Sequence, residues 1–282
     1  MKFKAIFIIF NIVVIVTFIF ISFISPLLLM GPEGLSYFLA KNFWVALIFV
    51  VFIVVFNVFL ARNWKLYSYL DSEDWQALKN YLEDAIFNKG QHRRYFYKLL
   101  LNTYIVTSDL KAIRRLEELA LKSRPQMLDY FALYFSIPYL LANIPAEAED
   151  FFNKLLARPH VRQRGWLRWN LAFSLLQNNK TEQAKSEFLS LLEQRHSFLI
   201  KLLSLYLLEP SARREPEVKE KLDYYLNNLR SQIKLKNWPQ ILKAEKNNLE
   251  ALMLSQIINE AANWFFQSKT ANDDPTSKAP KA

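Results

Sequence analysis

Two uncharged, strongly apolar stretches near the amino terminus constrain this chain more than any other feature. Residues 5–32 run 28 positions without a charged side chain, and residues 42–61 run another 20. A helix rises about 1.5 Å per residue, so about 20 apolar residues cross a hydrocarbon core about 30 Å thick. Both stretches qualify, which predicts spans at about 5–26 and 43–61. The division from the rest is sharp. Residues 1–61 carry only Lys2, Lys4, Glu33 and Lys41 as charges, whereas residues 62–282 carry 33 basic and 25 acidic side chains. One end suits lipid and the remainder suits water.

A signal peptide is the alternative for the first stretch, because Lys2 and Lys4 make a plausible charged start. Against it, the apolar part outruns the usual ~7–15 residues, and Ser25-Pro26 with the following Leu-Leu-Leu-Met offers no small-x-small cleavage site. The link of about residues 31–42 contains Gly31-Pro32-Glu33-Gly34, a tight-turn signal. A membrane hairpin over residues 1–61 follows. Lys2 and Lys4 precede the first span, and Arg62 and Lys65 follow the second. Basic flanks stay cytoplasmic, which predicts a two-span protein of the plasma (inner) membrane with both termini and the soluble part inside. Trp44 and Trp64 suit interfacial anchoring. Each span holds one Asn. Asn11 and Asn57 lie towards the same leaflet in an antiparallel hairpin and either bond to each other, worth about 1 kcal/mol, or find backbone and water separately. No acidic or basic side chain lies inside a span, which argues against a proton relay or ion path.

Several chemistries are excluded early. There is no Cys, hence no disulfide, thiol nucleophile or Cys-held metal. Four glycines, at 31, 34, 90 and 165, write no phosphate-cradling loop or dinucleotide fingerprint. His92, His160 and His196 fall on different segments. Only His196 has a carboxylate at helical spacing, Glu193, and no second His joins that pair. Carboxylate pairs such as Glu117-Glu118 lack the pocket that general acid–base work needs. No enzyme, metal or cofactor is expected.

Past Arg62 the apolar residues recur at helical spacing. Ala77, Ala112, Ala148 and Ala184 stand 35, 36 and 36 residues apart. Four residues after each comes a large apolar side chain: Tyr81, Leu116, Phe152, Phe188. Three residues before each comes a helix-starting type: Asp74, Asp109, Pro145, Thr181. The small Ala admits a neighbouring helix, and the bulky residue one turn on fills the space beside it. A period near 34 residues with this logic is that of stacked helical hairpins. Residues 165–195 resemble a tetratricopeptide repeat, with Leu171-Ala172, Leu175, Ala184, Phe188 and Leu191 at packing positions. Residues 129–159 are a weaker match, and residues 94–125 and 62–90 are degenerate, the last borrowing its first helix from the end of span two. A two-span hairpin leading into such repeats is also the layout of HemY-type bacterial inner-membrane proteins, a likeness in layout alone. The resemblance implies an all-α chain, with a two-helix transmembrane hairpin followed by an α-solenoid over residues 62–267. After residue 196 the register fades. A helix over 197–208, a loop over 209–214, a helix over 216–234 and a final helical stretch to about Gln267 are expected, with a break near Asn247-Asn248. The polar residues 268–282 read as a disordered tail.

In the resembled family the first helix of each repeat lines a concave groove. Here its positions are Tyr130, Leu133, Ile137 and Leu141 in one repeat and Trp166, Trp169, Phe173 and Gln177 in the next. Either these aromatics form a wall that binds a partner's apolar segment, or they pack between repeats. Basic clusters recur at His92-Arg93-Arg94 with Lys98, Arg114-Arg115, Arg158 with Arg162 and Arg164, and Arg213-Arg214. They suit a solvated surface, the anionic head groups of the bilayer, an acidic protein or, last, nucleic acid, for which no binding module is present. The expected work is that of a membrane-anchored scaffold that binds a protein partner of unknown identity. The alternative is a subunit or assembly factor of an envelope complex, with the hairpin as the specific contact and the array as spacer.

Overall fold

A computed structural model describes residues 3–142, 144–233, 238–244 and 249–272. Among these the chain is all helical, without a strand. It divides into two compact units, Met1–Ser108 and Asp109–Ala282.

In the first unit α1 (Phe3–Ile19) leads through a π-turn (Phe20–Ile24) into α2 (Ser25–Arg62). The π-turn has a covalent cause. Pro26 offers no N–H to the carbonyl of Ser22 and its ring crowds that carbonyl, so the helix widens just ahead of it. The link at residues 31–42, expected to turn tightly at Gly31-Pro32-Glu33-Gly34, is largely helical, with non-helical backbone at Gly31 and Asn42. Gly31 has φ 68° and ψ −176°, a conformation open to Gly because it has no Cβ. The helical runs long and apolar enough to cross a bilayer are therefore Phe7–Phe38 and Ala40–Arg62. They pair antiparallel. Phe18 stacks on Phe49 at 4.6 Å, Phe10 lies 4.7 Å from Phe56, and Phe7 meets Trp64 edge-on at 5.8 Å. Partners recede in opposite directions along the two helices, which puts the reversal in the Gly31–Asn42 region.

Asn63, with φ −104°, ends α2, so α3 (Trp64–Asp71) is a helix of its own and not the end of span two. α4 (Trp75–Glu83) starts under a cap, Asp74 Oδ1 accepting from the Ala77 amide at 2.9 Å. A second π-turn, Asp84–Asn88, leads to Gly90 at φ 61° and then α5 (Arg94–Val106).

The second unit holds α6 (Leu110–Ser123), α7 (Gln126–Tyr130), α8 (Ala132–Leu141), α9 (Pro145–Leu156), α10 (Arg164–Gln177), α11 (Thr181–Glu193), α12 (Phe198–Ala212), α13 (Pro216–Gln232), α14 (Trp238–Ala244), α15 (Leu249–Met253) and α16 (Ser255–Asn272). Asp109 caps α6 through the Ala112 amide at 3.1 Å. Pro145 opens α9 at a position whose N–H would be unpaired in any helix. Thr181 departs from expectation. It is the first helical residue of α11, Lys180 precedes it, and no side chain caps that end. The predicted loop at 209–214 is also displaced, because α12 continues through Pro210 to Ala212. A proline within the last turn forfeits a single ladder bond, its own to the Tyr206 carbonyl, and the helix closes two residues later at Ala212. Residues Asn247 and Asn248 lie outside the described residues. The last helix reaches Asn272, four residues beyond the expected start of the tail, and 273–282 lie outside the described residues.

Contacts run between neighbours in sequence, α8 with α9, α9 with α10, α10 with α11, α11 with α12 and α12 with α13, and α10 also touches α8 and α12. The seams carry the small residues the spacing picked out. Ala112, Ala148 and Ala184 are buried, as are Leu116, Phe152 and Phe188 beside them. Ala77 in the first unit is only half-buried.

Candidate partner-binding face

The aromatic wall expected along α8 and α10 is not an open surface. Leu133, Ile137, Trp166 and Trp169 are buried, and Trp169 has no exposed area at all. Its ring stacks on Phe173 at 5.5 Å, meets Trp166 at 6.2 Å and sits 6.3 Å from Phe188 of α11. Of the expected groove only Tyr130 and Phe173, half-buried, and Gln177 and Leu141, exposed, are reachable. Tyr130 lies beneath a guanidinium, Arg162, at 4.0 Å. The indole N–H of Trp169 reaches no acceptor among the described residues, so that side chain is held by shape and ring contact alone.

The next helix, α11, meets Trp169 through Phe188, and the chain's own carboxyl-terminal segment also lies against the array. α15 packs on α8, and α16 packs on α12. α16 presents Ile258, Ala261, Ala262 and Phe265, one stripe at helical spacing, all buried. Phe265 meets Phe198 edge-on at 5.8 Å, and Trp264 meets Tyr206 at 5.9 Å. Between α15 and α10 the contact is polar. Asn170 Nδ2 donates to Glu250 Oε1 at 3.1 Å, and both side chains are buried. Burial pushes the Glu250 carboxyl up to about 7, against which the Asn170 hydrogen bond acts only in part. A carboxyl that keeps its proton well above the ordinary carboxylate range thus bonds α15 to α10.

A second buried carboxyl lies at the α6–α8 seam. The Tyr139 hydroxyl donates to Glu117 at 3.0 Å, the Tyr139 ring stacks on Phe151 at 4.1 Å, and Arg114 lies 4.5 Å above it. Burial raises Glu117 to about 7 even though Tyr139 and Arg114 favour its charged form. The repeat spacing gave no signal for either carboxyl; only burial shows them.

Most of the basic clusters are tied into the fold. Arg114 pairs with Glu147 at 2.9 Å, Arg158 binds Asp129 in a fork and also the Pro125 carbonyl, and Arg213 pairs with Glu209. Arg164 donates to the carbonyls of Leu156 and Arg158. His196 is pulled below the ordinary His range by burial and then by Arg168 and Lys201, and no metal-binding group of side chains occurs among the described residues. In the hairpin, Asn57 Nδ2 donates to Asn11 Oδ1 at 2.9 Å and also to the Ile53 carbonyl, so the two span asparagines meet.

These features define an all-helical protein with two amino-terminal helices long and apolar enough to cross a membrane. The chain belongs to the family described as uncharacterised Treponema protein, which matches residues 112–267. A relative described as an uncharacterized protein of Treponema pallidum (strain Nichols) is 29% identical over 232 residues, covering 78% of this chain and 74% of that protein. No solved structure matches the chain.

Proposed function

We propose that this chain is a membrane-anchored, noncatalytic adaptor that holds a protein partner on its helical array. The observation that carries the reading is the amphipathic helix α16 seated by its apolar stripe on α12, with α15 beside it on α8. That is the manner in which a groove of paired helices receives a helical ligand. The array's own segment occupies the place, so a partner helix either displaces it or extends the remaining edge at Phe173 and Gln177. The 36-residue spacing of Ala112, Ala148 and Ala184 at buried seams supports the tetratricopeptide-like reading of the second unit. A specific observation favours a second reading. Because the aromatic face is covered, the hairpin could be the specific contact of an envelope complex and the array a spacer. Where a partner cross-links on the full chain separates the two.

The anchoring half of the proposal places both termini in the cytoplasm of a bacterium, from Arg62 and Lys65 after the second apolar run and Lys2 and Lys4 before the first. Lys2 and the Lys4 side chain lie outside the described residues. A reporter active only in the cytoplasm, fused after Gln267, is expected to be active. Activity of a periplasm-only reporter at the same junction would overturn the orientation.

A further inference from the structure

In the first unit a cavity of about 570 Å³ opens where α2 ends. Its walls divide by chemistry. Val54, Val55, Val58 and Phe59 line it from the outward face of the apolar run, all four more than half exposed. Arg62, Asn63, Gln91 and Arg93 line it beyond, with the Tyr81 and Phe96 rings. From Val54 to Arg62 the helix climbs about 12 Å. That rise separates an apolar wall inside a bilayer from two guanidinium groups at its surface. Both arginines are exposed, and among the described residues neither has a carboxylate partner. Arg93 stands immediately before α5, a helix with no acidic side chain in its first turn, and its guanidinium lies 5.8 Å from the Phe96 ring.

We propose that this cavity binds one anionic glycerophospholipid, its phosphate held by Arg62 and Arg93 and an acyl chain lying along Val54, Val55 and Val58. The guanidinium is suited to this, because its fork matches phosphate oxygens in pairs and it sheds water more readily than an ammonium. Asn63 and Gln91 supply amide donors for the glycerol or its head group. In the other basic clusters Arg114, Arg158 and Arg213 are engaged by Glu147, Asp129 and Glu209. The proposal rests on the membrane reading of α1 and α2, and its test separates the two.

The full chain is purified in mild nonionic detergent and examined by native mass spectrometry with phosphatidylglycerol or phosphatidylcholine supplied at equal amounts. One phosphatidylglycerol per chain is expected to be retained about tenfold or more over phosphatidylcholine. Arg62→Gln with Arg93→Gln should erase that preference, whereas Arg124→Gln with Arg195→Gln, an equal loss of charge elsewhere, should keep it. Equal retention of the two lipids by the wild type, or an unchanged preference in the first double variant, would overturn the site. Displacement of phosphatidylglycerol by excess glycerol phosphate would assign the cavity to a soluble phosphate ester and overturn the lipid. Flotation with pure phosphatidylcholine vesicles reads the underlying premise alone. A chain that floats without head-group preference retains its anchor and loses the site; a chain that does not float loses both.

Discussion

Trp169→Ala is expected to destabilise the second unit by about 3–5 kcal/mol, the range for removing a large aromatic from a closed core. Trp169 has no exposed area, and Phe173, Trp166 and Phe188 would surround the cavity it left. None of these is a flexible end that can swing in to fill the space. Trp169→Phe should cost far less, because it keeps a stacked ring against Phe173 and removes an indole N–H that has no acceptor among the described residues. The pair is read by denaturant unfolding of the full chain followed by helix circular dichroism. A Trp169→Ala chain as stable as wild type would show that this face is open after all, and binding loss in that variant could then be taken at face value.

The second large effect is one of pH. Glu250 has an ordinary value of 4.5 and is pushed up to about 7 by burial in the folded chain. Between those values the folded chain holds a proton that the unfolded chain has released, so stability falls as pH rises through the window and levels off above it. Full stability is present below about 4.5, and about 3 kcal/mol is lost by pH 8. Glu117, also raised to about 7, acts in the same direction. Glu250→Gln keeps an oxygen to accept from Asn170 and has no charge to bury. It should melt higher than wild type at pH 8, by roughly 6–12 °C in a unit of this size, and match it near pH 5. A wild type whose melting temperature does not change between pH 5 and pH 8 would contradict the assignment, as would a variant that matches it at pH 8.

The local frame of this protein was legible in its residues. Asp74 and Asp109 cap the helices their spacing marked, Pro145 opens α9, and Ala112, Ala148 and Ala184 lie at buried seams. Each of these depends on a few neighbouring positions, and periodicity carries that information. Whether the aromatics line a groove or pack between repeats stayed open in the sequence for the opposite reason. Trp166, Trp169, Leu133 and Ile137 are buried, but repeat spacing does not say what they meet: Trp169 packs against Phe188 of the next helix, and beside it Asn170 bonds Glu250, 80 residues further on. The stripe Ile258, Ala261, Ala262 and Phe265 was readable as amphipathic; nothing in it names α12 as the surface it meets. Pro210 shows a smaller limit of the same kind, since a proline marks where a helix can end and not that it must.

The central claim, that the array and not the hairpin carries the partner, is tested most directly by site-resolved photo-cross-linking of the full chain in native membranes. A photoreactive residue is placed in turn at Phe173 or Gln177, the reachable edge of the α10 face, and at Val50 or Val51, exposed on the second apolar run. The account predicts a protein adduct of one defined mass from Phe173 and Gln177, with lipid adducts alone from Val50 and Val51. A protein adduct confined to Val50 or Val51 would contradict it and make the array a spacer.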